Sequence, residues 1–143
     1  MQKKIGTVWL ACAGLCSVAL SMSVWAEVVV VVHPSNTATL AADDIAKIYL
    51  GRTKAFPNGQ TVLPVAQSEQ SPATAIFNEK VLNKTGSQMK AYWSKLVFTG
   101  KGSPPKEVDS DAEIVALVSQ NPNVIGYIDK AAVTDKVKVL ATF

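Results

Sequence analysis

The sequence is poor in the residues that carry covalent and metal chemistry. It has one histidine, His33, and two cysteines, Cys12 and Cys16. One imidazole cannot build a cluster of metal ligands, and a lone histidine after an apolar run reads as structural. There is no Gly-x-Ser-x-Gly elbow, no Gly-x-x-x-x-Gly-Lys phosphate loop and no Gly-x-Gly-x-x-Gly fingerprint. Asp109, Asp111 and Glu113 read as the acidic start of a surface helix, not as an acid–base pair. These absences point away from an enzyme, a metal site and a bound cofactor.

The excess of positive charge is also small once its location is considered. Lys3 and Lys4 open the chain, an uncharged apolar run follows from Ile5 to Val18, and Ser21, Ser23, Val24 and Ala26 supply small residues. A positive start, an apolar middle and a small-residue end are the marks of a secretory signal. Residues 1–26 are therefore expected to be removed, and the remaining chain to reside in a periplasm. Both cysteines lie in that segment, and neither has the preceding Leu and small residues of a lipoprotein site. Without it, 117 residues remain, enough for one domain, with twelve basic residues against eleven acidic ones. Such a balance gives no support for binding nucleic acid.

The rest of the chain alternates strand and helix signals. Val28 to Val32 are five valines, which implies a strand buried on both faces. His33-Pro34-Ser35-Asn36 is a turn. Ile45, Ile48 and Tyr49 place an apolar stripe on a helix from Ala41 to Leu50, ended by Gly51. Thr61 to Ala66 reads as a strand, with Pro64 marking an edge or an irregularity. Ser71-Pro72 opens a second helix and Ser87 caps a third, in which Met89, Tyr92, Trp93, Leu96 and Val97 follow helical spacing. Tyr92 and Trp93 are expected in the core, and Thr99 to Lys106 in a solvated loop. Ser110 with Glu113 predicts a capping box for a fourth helix. Val124 to Ile128 and Val137 to Ala141 read as strands. The order predicts an α/β fold: a single three-layer lobe whose mostly parallel or mixed sheet is flanked by helices.

In such a sheet, helix N-termini gather at the carboxyl edge of the strands and favour anions. Two stretches supply candidates: Ser35, Asn36 and Thr37 after the valine strand, and Ser68, Ser71 and Thr74 around the second helix start. The competing reading is that they cap helices and turns. Glu69 opposes an anion there.

Four stretches resemble the phosphate-type substrate-binding proteins of bacterial ABC transporters. Ile45 to Arg52 is similar to the family's helix ending in Phe-x-Gly-Lys. Val62-Leu63-Pro64-Val65 with Gln67 matches the strand before the ligand loop. Ser71-Pro72-Ala73 stands six residues before Phe77, where the family has Ser-Gly-Thr. Val124-Ile125-Gly126-Tyr127 matches Ala-Ile-Gly-Tyr. The resemblance implies a periplasmic-binding-protein-like lobe over residues 27–143. It implies a solute-binding role for phosphate or a related oxyanion, linked to ABC transport or sensing. An ABC transporter permease or an envelope sensor would then be the partner. Two features depart from the pattern. Pro72 has no N–H and Ala73 no hydroxyl, and the chain has residues for about one of the family's two lobes, so closing a cleft would need a second copy in a homodimer. The alternative is a ligandless lobe that binds another protein in the cell envelope.

Overall fold

A computed structural model describes residues 26–143; apart from Ala26, the expected signal segment lies outside them. The five valines form strand β1, Val28–Val32. Each is at most 2% exposed. Alternation along the strand sends Val28, Val30 and Val32 into one core and Val29 and Val31 into another. β1 lies between β4 (Val124–Asp129) and β5 (Lys138–Thr142) and runs antiparallel to both. On the other side of β4, β2 (Leu63–Gln67) and β3 (Lys106–Val108) run parallel to it and to each other. The order is β3-β2-β4-β1-β5, a mixed sheet. The expected α/β class therefore holds.

Helices α1 (Ala42–Tyr49), α2 (Pro72–Lys80) and α3 (Gly86–Phe98) lie on one face, and α4 (Asp111–Gln120) on the other. The stripe read from the sequence is the buried face of α1: Ile45, Ile48 and Tyr49. α4 is pressed hard onto β4 at Gly126. A Cβ there would stand 2.5 Å from Ile114 Cγ2, so only glycine admits the helix at this distance.

Several expectations need correction. Thr85, not Ser87, caps α3: its hydroxyl accepts from the Gln88 N–H at 3.2 Å, and the Gln88 side chain accepts from the Thr85 N–H at 2.9 Å. Ser110 accepts from the Glu113 N–H at 3.2 Å, but the Glu113 side chain does not return a bond to the Ser110 N–H, so the expected capping box is half made. The expected loop ends in β3, a strand of three residues of which only Val108 is buried. Tyr92 and Trp93 are only partly buried, and α3 has no buried residue at all. Pro64 marks an irregularity but not an edge, because β2 is interior.

Candidate functional site

The six candidate residues do not meet. β1 is the one strand that runs against the others, so the chain leaves it at the amino edge of β2 and β4. Val32 pairs with Ile125 there, while Val28 pairs with Asp129 at the far end. Ser35, Asn36 and Thr37 thus lie at one end of the sheet, and Ser68, Ser71 and Thr74 at the other. The expectation that both groups gather at the carboxyl edge fails for this reason. Asn36 is 2% exposed and holds a turn. Its Oδ1 accepts from the Ala38 N–H at 2.8 Å, and its Nδ2 donates to Pro122 O at 3.5 Å. Ser35 Oγ lies 2.7 Å from His33 Nδ1. Thr37 is exposed. α1 begins only at Ala42, and the Asp44 carboxylate already accepts from the Ala41 N–H at 3.1 Å.

The second group sits where β2 and β4 part. The two strands pair only through Leu63 and Pro64. Proline offers no N–H, and beyond it β2 continues with β3. Side chains bridge the resulting gap. Tyr49 Oη donates to Val65 O at 3.0 Å and Ile125 O at 3.2 Å, one from each strand. The Gln67 N–H donates to Tyr127 Oη at 3.1 Å. Thr74 Oγ1 donates to Gln67 O at 3.1 Å, which leaves Tyr127 Oη to donate to Thr74 Oγ1 at 2.9 Å. These three bonds close a ring. Burial raises the Tyr127 hydroxyl pKa, and burial followed by the neighbouring Tyr127 raises that of Tyr49 well above its usual value. Both hydroxyls are therefore kept as donors.

Gln67, 3% exposed, uses its whole amide. Nε2 donates to Tyr127 O at 3.0 Å and to the Asp111 carboxylate, while Oε1 accepts from Ser71 Oγ at 2.7 Å. Asp111 also accepts from the Asp129 N–H at 3.4 Å. Asp111 read as a surface carboxylate, yet it is partly buried and turned toward the strand ends. Asp111 thus sets a carboxylate beside the candidate anion site, joined to it through Gln67. Ser71 heads α2 without capping it, since its hydroxyl turns to Gln67. Ser68 contributes backbone: its N–H donates to Val108 O and its O accepts from the Ser71 N–H, each at 3.0 Å. No buried side-chain polar atom lacks a partner among the described residues.

Beside this edge lies an open groove of about 610 Å³ between α2 and α3. Phe77, Tyr127 and Tyr49 form part of its lining; the first two rings stack at 4.1 Å, and Tyr49 meets Phe77 edge-on at 4.7 Å. Met89, Trp93 and Val97 of α3 form one wall. A second groove of about 570 Å³, also lined by Trp93, runs toward Gly51 and Thr53. Tyr92 Oη anchors α3 by donating to Leu50 O at 2.7 Å. Among the described residues no group of three or more His, Cys, Asp or Glu could hold a metal ion.

No protein-family model matches the chain, and no curated protein does. Solved structures do. A protein from Clostridium perfringens, described as a phosphate ABC transporter substrate-binding protein with bound phosphate, superposes with a TM-score of 0.64 at 21% identity. The match covers 80% of this chain and 44% of that one. An ABC-type phosphate transport receptor from Vibrio cholerae matches with a TM-score of 0.64 at 19% identity, over 80% and 45% of the two chains. PstS from Borrelia burgdorferi matches at 0.60 and 17% identity, over 81% and 47%. The chain thus has the fold found in part of these proteins and spans less than half of their length.

Proposed function

We propose that this chain is an exported binding lobe of the solute-binding-protein fold that associates with another protein in the cell envelope. The groove between α2 and α3 is its contact surface. The closed carboxyl edge carries this reading: Gln67, Ser71, Thr74, Tyr127 and Asp111 bond to one another, while the groove beside them stands open and largely apolar. Proteins recognise partners through apolar recesses with a polar rim, and Glu69, Lys90 and Glu107 supply that rim here.

A second reading is favoured by the likeness to proteins described as phosphate-binding. In it the carboxyl edge takes phosphate or a related oxyanion, in the service of an ABC transporter or a sensor. Among the described residues all five strands and four helices lie after Glu27, so protein from Glu27 to Phe143 is suited to both tests. A ligand that binds only the folded state stabilises it by about 2.7 kcal/mol at a hundredfold excess over Kd. A thermal-melt titration with phosphate, against sulfate and chloride at matched ionic strength, separates the readings. We expect no shift up to millimolar phosphate. A saturable, phosphate-specific shift that Ser71→Ala abolishes would reverse the choice. A photo-crosslinking residue at Ser94, in the groove wall, should capture one envelope protein, whereas the same residue at Ala116 on α4 should not. Equal capture at both positions would remove the groove from the proposal.

A further inference from the structure

The basic residues are distributed very unevenly. From Lys80 to Lys106 the chain carries six lysines and no carboxylate. The rest of residues 27–143 carries six basic residues against eleven acidic ones. The one ion pair among the described residues joins Lys130 to Glu27, so none of the six lysines forms an ion pair. Lys84 lies over the Tyr92 ring at 5.9 Å. At the end of this basic arm, nearly every residue from 95 to 106 is exposed, with only Leu96 and Pro105 partly covered. Phe98 projects there at 92% exposure beside Val97 at 54%. Gly100, with φ +68°, turns the chain immediately after α3, and Lys101 follows it.

We propose that this tip seats on an anionic lipid bilayer. Phe98 and Val97 enter the boundary between headgroups and acyl chains, and Lys95, Lys101 and Lys106 meet the headgroup phosphates. Apolar side chains bordered by lysines suit an interface that is oily below and negative above. Among the described residues no helix is long and apolar enough to cross a membrane, so the arm lies on the surface and does not span it. Like charge opposes pairing of two such arms between copies of the chain. A bilayer fits better than an acidic protein because Phe98, at 92% exposure, stands out where an apolar layer can cover it while headgroup phosphates meet the lysines beside it. Val97 and Phe98 also line the outer end of the groove, so the proposal adds a second contact beside the groove reading, and it stands independently of the phosphate titration.

The test is co-sedimentation of the Glu27–Phe143 protein with vesicles of phosphatidylcholine alone and of phosphatidylcholine mixed with phosphatidylglycerol. Binding is expected only to the mixture, weakening as salt rises. Inorganic phosphate at matched ionic strength should not displace it. Phe98→Ser should weaken binding roughly tenfold. Neutralising Lys95, Lys101 and Lys106 with glutamine should cost about fivefold per charge, and arginine at the same positions should restore it. Because these side chains are exposed, all variants should melt with the parent protein. Equal binding to both vesicles, or binding to neither, overturns the proposal. So does binding to soluble polyglutamate without binding to vesicles, which would assign the tip to an acidic protein. Displacement by free phosphate would place the interaction in an ion site and likewise overturn it.

Discussion

At the carboxyl edge of β2 and β4, buried polar groups meet one another across long stretches of sequence, and little is left over for a ligand. Along α3, only a groove's width away, no side chain is buried, Lys90 and Lys95 carry charge without an ion pair, and an aromatic ring stands in solvent. The first region repairs a fault in the sheet, where Pro64 ends the ladder between two strands. The second holds more apolar surface than the fold covers. The difference shows that hydroxyls and amides at a strand edge can serve the fold, while a helix with a regular apolar stripe can serve the surroundings.

The contrast can be broken most forcefully by removing one ring from each region. Phe77→Ala should cost about 3–5 kcal/mol in chemical denaturation, because it empties the stack against Tyr127. Phe98→Ala should fall within about 0.5 kcal/mol of the parent. Similar losses would mean that α3 is packed more tightly than its exposure implies. Next in size is Tyr127→Phe. It leaves the Gln67 N–H without its acceptor and Thr74 Oγ1 without its donor, and should cost about 1–3 kcal/mol. A negligible loss would show that the ring is dispensable.

The smallest effect sharpens the comparison at high pH. Tyr49 and Tyr127 have folded-state pKa values raised above the ordinary 10.0. Below about pH 10 both states hold these protons and neither tyrosine makes stability depend on pH. As pH climbs past the unfolded value, the unfolded chain releases protons that the folded chain keeps. Stability should then fall, by up to about 1.4 kcal/mol per pH unit for each tyrosine. Urea midpoints measured across that range should decline, and less steeply for Tyr127→Phe. A flat profile would mean that the two hydroxyls ionise as readily in the fold as outside it.

What the sequence made legible was local. Five valines specify a strand covered on both faces whatever its neighbours are, and Ile45, Ile48 and Tyr49 specify a helix face by spacing alone. The direction of β1 was hidden, because nothing in Val28–Val32 records that its partners lie about a hundred residues further on. That direction moved Ser35, Asn36 and Thr37 to the wrong end of the sheet for a shared site. Asp111 was misread for a related reason. Its acidic neighbours at a helix start describe a surface, and its contact with Gln67 spans 44 residues. β3 was missed because Lys106-Glu107-Val108 is too short to show a period. Tyr92 and Trp93 have core spacing, but spacing does not say whether a helix will be covered.

The placement of β1 has a consequence for the order in which the molecule can form. The strand is synthesised first, yet both its neighbours, β4 and β5, come from the last twenty residues, and Val28 exchanges backbone bonds with Phe143 at 2.8 and 3.1 Å. Such distant pairing makes folding slow. Until β4 and β5 emerge, the valine run has no ladder to join. The same delay exposes five adjacent β-branched residues to other nascent chains.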